Sequence, residues 1–236
     1  MNNRRSLLLV VFLILYSLIN FLSQRQGNGI FSTVLLLLFW ATVFVFLKAK
    51  CRLKEYGIAL SRVKDKSTFM LIALVLIVII SNIAFMFRNN NSGLTYFSRE
   101  SFIFDLTALL SCAFGEELFF RGILLSFFRK KGVKTVINIV GVSALFSVSH
   151  IINLLSGFEI SYVLIQLLFS FSVGLCLTAV SYYTNSIVIT FVLHSLINIT
   201  AVNDVSFNKE YIVISVALII ICSIIIRKGT RNEFVY

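Results

Sequence analysis

The feature that most constrains this chain is a succession of apolar runs, each long enough to cross a bilayer as a helix. About eight spans are expected: Ser6–Leu22, Ile30–Leu47, Thr68–Phe87, Phe102–Phe128, Thr135–Leu155, Ile160–Tyr182, Ser186–Val202 and Tyr211–Ile226. With 58% hydrophobic and only 13% charged residues, a soluble domain is excluded. The expected fold class is all-α: a polytopic membrane helix bundle forming a single integral membrane domain over residues 1–236. Proline is absent, so any helix break has to rely on glycine and polar residues.

The net charge of +11 has two readings, nucleic acid or a membrane surface. Its placement decides. Of the 21 basic residues, all but Arg25, Arg88, Arg99, Arg121 and Lys209 fall at one set of alternate span ends, as the positive-inside rule requires of cytoplasmic loops. No basic patch with interleaved aromatics lies elsewhere, which excludes nucleic acid as a partner. The asymmetry predicts N- and C-termini in the cytoplasm and a multi-pass protein of the cell membrane, a bacterial plasma membrane by composition. The run after Arg4 and Arg5 has no small-residue cleavage pattern and is expected to stay as a first helix. The basic loop Lys48–Lys66 either lies on anionic headgroups or is simply solvated.

Cys51, Cys112, Cys176 and Cys222 are isolated and lack metal-type spacing, so neither a disulfide framework nor a zinc knuckle is expected, and they read as small buried hydrophobes. Cys112 stands four residues before Glu116 and shares its helix face.

Against this apolar background the stretch Gly115-Glu116-Glu117-Leu118-Phe119-Phe120-Arg121-Gly122 is the most expensive to place. A charge near a span's centre costs at least about 2.5–3.5 kcal/mol. Glu117 and Arg121 are spaced i,i+4 and can neutralise each other on one helix face. Glu116 lies about 100° round the helix with no basic residue within a turn, so its partner is expected on another helix. The only two histidines, His150 and His194, also fall in spans, in Phe146-Ser147-Val148-Ser149-His150 and His194-Ser195-Leu196-Ile197-Asn198. At about 1.5 Å per residue, Glu116, His150, His194 and Asn198 all come to depths near mid-membrane, where one cavity can hold them.

Glu-Glu-x-x-x-Arg, Phe-x-x-x-His and His-x-x-x-Asn, in this order on successive membrane helices, resemble the CPBP family of intramembrane endopeptidases. That family, also called Abi, takes in the type II CAAX prenyl endopeptidases and bacteriocin-processing and immunity proteins. The resemblance covers residues 102–202 as a catalytic core and rests on Glu116, Glu117, Arg121, Phe146, His150, His194 and Asn198. It implies Glu116 as general base, His150 holding the attacking water, and His194 and Asn198 stabilising the oxyanion. Glu117 and Arg121 would form a structural pair, with a substrate-carboxylate contact open to Arg121.

A metal-free mechanism is expected, since no local chelating pair such as His-Glu-x-x-His occurs. The alternative is Zn2+ held by Glu116, His150 and His194. The expected activity is hydrolysis of a peptide bond in a membrane-associated peptide or lipidated protein near the cytoplasmic half of the bilayer. A pheromone or bacteriocin precursor is favoured over a CAAX-like C-terminus. The competing class is a non-enzymatic immunity or scaffold protein. A transporter is disfavoured by the lack of inverted repeats and of glycine-broken half-helices.

Overall fold

The computed structural model describes residues 34, 38, 41, 54, 56–59, 63, 65–88, 102–201 and 209–233. The expected first span, and all but three residues of the second, lie outside them. Among the described residues every regular element is helical: α1 (Lys66–Arg88), α2 (Phe102–Glu116), a π-helical segment (Glu117–Leu124), α3 (Leu125–Lys130), α4 (Thr135–Ser149), a 3-10 segment (His150–Ser156), α5 (Ile160–Thr184), α6 (Val188–Ala201) and α7 (Lys209–Glu233). Four stretches are long and apolar enough to cross a membrane, Lys66–Phe85, Thr135–Leu155, Ile160–Thr184 and Glu210–Thr230, and Val188–Ala201 is a shorter apolar helix.

Helices end where the chain can leave the right-handed helical region without proline. Gly132 (φ +73°) closes α3 and Gly157 (φ +87°) follows the 3-10 segment. Asn185 (φ 53°) ends α5 as the one non-glycine described residue with positive φ, a conformation that asparagine tolerates better than most. These tight reversals make α3/α4, α4/α5 and α5/α6 antiparallel neighbours. The start of α1 is capped by Asp65, whose carboxylate accepts from the Thr68 backbone N–H at 2.8 Å and the Thr68 hydroxyl at 2.5 Å.

The hub is α5. In its apolar window 67% of residues are buried, against 28–33% in the other three spans, and it packs on α1, α4, α6 and α7. Leu175, Leu177, Ala179 and Val180 of α5 form one core with Leu71, Val75 and Val78 of α1 and with Leu218, Ile225 and Ile226 of α7. The outward faces carry exposed Phe69, Ile77, Ile80, Leu164, Val213 and Ile220, as lipid contact requires.

Two sets of contacts level the helices. At one end Arg129 reaches Asn185 and the Tyr182 carbonyl, and Tyr183 bonds the Ile226 carbonyl. At the other, the buried Asn82 of α1 bonds Thr200 of α6 and Tyr211 of α7.

Two expectations are corrected. Cys176 and Cys222 are joined by a disulfide, Cα–Cα 6.1 Å, tying α5 to α7. Their 46-residue separation conceals a proximity that exists only once the two helices pack. Within the Lys48–Lys66 loop, residues 56–59 lie neither on headgroups nor in solvent, while Lys54, Val63 and Asp65 are exposed: Tyr56 is 1% exposed, and the Gly57 and Ala59 carbonyls accept from the Ile187 N–H (2.9 Å) and the Ser186 hydroxyl (2.6 Å).

Candidate active site

The expected span Phe102–Phe128 is an α-helix that widens into π-helix from Glu117 to Leu124 and then returns to α. A π-segment spreads successive turns and is frequent at functional sites. Here it carries Glu117 and Arg121, and it brings Gly122 against the Tyr56 carbonyl, which a methyl at Gly122 would meet at 3.0 Å. The absence of a side chain at Gly122 is what lets Tyr56 dock.

Glu117 and Arg121 are both buried and their side chains pair, Arg121 Nη1 donating to Glu117 Oε1 at 3.0 Å. Arg121 Nε also donates to the Thr178 hydroxyl of α5 at 3.3 Å, and its guanidinium lies 4.1 Å from the centre of the Phe146 ring. The structural pair read from i,i+4 spacing is thus present. It has a third member that spacing did not reveal: His194 Nδ1 lies 2.9 Å from the same Glu117 Oε1. Since Glu117 already faces a guanidinium, its oxygen is the acceptor and His194 Nδ1–H the donor.

The other imidazole nitrogen, His194 Nε2, faces Glu116 Oε2 at 3.5 Å. Glu116, about a quarter exposed, therefore has its partner on α6, a different helix, as expected. Its other oxygen accepts from Cys112 Sγ at 3.6 Å, one turn back on α2.

His150 stands where α4 gives way to the 3-10 segment. Its Nδ1 lies 3.0 Å from the Phe146 carbonyl and, facing a carbonyl, must be the protonated nitrogen, which leaves a lone pair on Nε2. Phe146 organises the cluster. Its ring meets His150, His194 and Phe120 edge-on at centroid distances of 5.0, 5.7 and 5.3 Å, with Arg121 on its face and Gly174 behind it.

A cavity of about 330 Å³ adjoins these groups. His150, His194 and Asn198 line it, so three of the four expected catalytic side chains share one space, and Glu116 reaches it through His194 and Cys112. Its walls also include Leu109, Tyr162, Gln166, Phe169 and Ile197, which the motifs did not single out. Gln166 was the legible one: a polar amide inside an apolar span needs a partner, and it accepts from Asn153 Nδ2 at 2.7 Å.

Among the described residues no group of three or more His, Cys, Asp and Glu side chains is placed to hold a metal ion. Glu116, His150 and His194 form no such group; His194 gives Nδ1 to Glu117 and turns Nε2 towards Glu116.

Residues 98–200 match the family model described as type II CAAX prenyl endopeptidase Rce1-like. The match covers 103 of the 236 residues and marks a likeness of this part of the chain to that family. It spans the cluster whole, from α2 to the last turn of α6, and bears out the resemblance carried by the three motifs. No curated protein and no solved structure matches the chain. The match supports a membrane-embedded peptidase class.

Proposed function

We propose that the chain is an intramembrane endopeptidase that hydrolyses a peptide bond of a membrane-associated peptide with water activated by Glu116. The observation that carries this reading is the juxtaposition of the Glu116 carboxylate and His194 Nε2 at the edge of a cavity that His150 and Asn198 also line.

Each step has a donor or acceptor in place. Glu116 takes a proton from the water as its oxygen attacks the scissile carbonyl carbon, and the His150 Nε2 lone pair accepts the water's other hydrogen to aim it. The carbonyl oxygen becomes an oxyanion that Asn198 Nδ2–H and His194 Nε2–H stabilise. With Nδ1–H already given to Glu117, His194 can donate at Nε2 only as the imidazolium, and Glu117 is the fixed counter-charge of that form. One such donor in a dry site is worth about 2.7–4 kcal/mol of barrier. The tetrahedral species then collapses: the C–N bond breaks, and the proton on Glu116 passes to the leaving nitrogen, restoring the carboxylate. Water's hydroxyl ends on the new carboxyl group and its hydrogen on the new amine. No step runs through a metal.

The test is processing of a quenched fluorescent apolar peptide by purified protein in lipid, comparing wild type with Glu116→Gln, His150→Ala and His194→Ala at equal folded amounts. Loss of cleavage in all three is expected. Cleavage by Glu116→Gln at the wild-type rate would sink the glutamate mechanism and favour the scaffold or immunity reading.

A further inference from the structure

The π-segment and α6 each bring part of the cluster. Glu117 and Arg121, with Glu116 one residue ahead, come from the first, and His194 and Asn198 come from the second. The two elements are far apart in sequence, yet the site needs them held so that Glu116 Oε2 stays 3.5 Å from His194 Nε2. Neither run of residues can fix that distance by itself. Residues 56–59, well upstream of both, touch both.

A hydrogen bond from the Gly57 N–H to the Lys54 carbonyl (3.2 Å) turns the chain there, with Gly57 at φ +73°. On one side of this turn the buried Tyr56 lays its carbonyl and Cβ over Gly122. In a π-helix residue i+5 stands about one turn beyond residue i, so Gly122 is one turn from Glu117. On the other side the Gly57 carbonyl accepts the Ile187 N–H at 2.9 Å, and the Ala59 carbonyl accepts the Ser186 hydroxyl at 2.6 Å. These two residues start α6: the Ile187 carbonyl accepts the Phe191 N–H at 2.8 Å, and Ser186 Oγ accepts the Val188 N–H at 3.2 Å. His194 follows Ile187 by about two helical turns on the same face.

We infer that residues 56–59 are a strap that sets the spacing between the π-segment and α6, and that Tyr56 and Gly57 are positioning residues for the reaction at Glu116 and His194. The effect on catalysis rests on the endopeptidase reading of the site; the bracing does not. Both ends of the strap are places where backbone passes backbone. A methyl at Gly57 would meet the Ile187 nitrogen at 3.2 Å, and one at Gly122 would meet the Tyr56 carbonyl at 3.0 Å. The Tyr56 hydroxyl is buried with no hydrogen-bond partner among the described residues, so the ring and the backbone do the bracing. None of residues 56–59 lines the cavity, which keeps the strap off the substrate and lets it act only through the two helical elements.

The test compares wild type with Tyr56→Phe, Tyr56→Ala, Gly57→Ala, Gly122→Ala and Gly57→Ala/Gly122→Ala in lipid, on the quenched fluorescent apolar peptide and at equal folded amounts. Tyr56→Ala and either glycine variant should lower kcat by about tenfold to a hundredfold, the scale of a 1 Å misplacement, with KM little changed. Tyr56→Phe should cleave like wild type. Both glycines serve one strap, so the double variant should lose no more than the worse single one. Cys222→Ala, which frees α7 from α5 away from the strap, is the stability control: it should lower the melting temperature and leave kcat unchanged. Hydrogen exchange read by mass spectrometry reports the bracing without catalysis. Tyr56→Ala should speed exchange in residues 117–124 and 188–194 together and leave α7 as it was.

If kcat falls in step with melting temperature across the whole set, Cys222→Ala included, the strap is a stability element only and the inference is overturned. Wild-type kcat in Tyr56→Ala, or glycine effects that multiply in the double variant, overturns it as well. If wild type itself cleaves no peptide, the endopeptidase reading fails and exchange alone decides the bracing: faster exchange in both segments upholds the strap, and faster exchange in one or neither sinks it.

Discussion

Glu117 separates stability from catalysis, because its single oxygen Oε1 serves both Arg121 Nη1 at 3.0 Å and His194 Nδ1 at 2.9 Å, and both it and Arg121 are fully buried at the side chain. Glu117→Gln keeps the volume and removes the charge. The Arg121 guanidinium is then buried beside an amide, and breaking a buried pair by removing one partner destabilises by about 3–5 kcal/mol. The same change takes away the counter-charge of the His194 imidazolium. Losing that one oxyanion donor should lower kcat by about 10²–10³. The two effects part company in Glu117→Gln/Arg121→Met. Replacing both charges with neutral groups of similar volume is often close to neutral for stability, so the double variant should recover most of the melting temperature and chemical-denaturation midpoint in detergent. It should not recover kcat, since His194 still lacks the Glu117 carboxylate on Nδ1, and KM should move little. Thermal unfolding and peptide cleavage at saturating substrate read the two quantities from one preparation. If the double variant regains both stability and wild-type kcat, Glu117 serves Arg121 alone, and its contact with His194 has no part in the reaction.

Gly174→Val would drive side-chain carbons into Phe146 Cδ1, which even a single methyl approaches to 3.2 Å, so it should destabilise by about 1–3 kcal/mol and reduce cleavage by displacing the ring that seats both histidines, as unfolding and activity assays would report. Gly122→Ala would place its methyl 3.0 Å from the Tyr56 carbonyl, a backbone atom that cannot rotate away, so the 56–59 segment should undock and become more sensitive to limited proteolysis at low protease. Alkylation of unreduced, denatured protein should modify Cys112 and spare Cys176 and Cys222 by mass spectrometry; Cys222→Ala, opening a loop of 46 residues, should lower stability by up to about 4 kcal/mol in the loop-closure account.

What the sequence determined by itself is what a single helix or a strong solvation penalty dictates. Apolar runs of bilayer length specify membrane helices whatever they pack against. The i,i+4 relation of Glu117 and Arg121 brings them together because it is local geometry, and the expense of a charge in a span marks Glu116, His150 and His194 as residues needing partners. The lack of proline predicted glycine and polar helix ends, and Gly132, Gly157 and Asn185 provide them.

Tertiary structure decided what depends on the relative rotation and depth of helices distant in sequence. A histidine has two ring nitrogens, and only the packing of α6 against the π-segment assigns one of His194's to Glu117 and the other to Glu116. The widening into π-helix, the docking of Tyr56 on Gly122 and the pairing of Cys176 with Cys222 are likewise contacts between segments whose patterns carry no trace of each other. Depth counted along separate helices brings the polar residues to mid-membrane, but which half is hollow and which is filled depends on how Phe146, Phe120 and Val142 interlock, and close packing of that kind is a property of facing surfaces that no single run of residues contains.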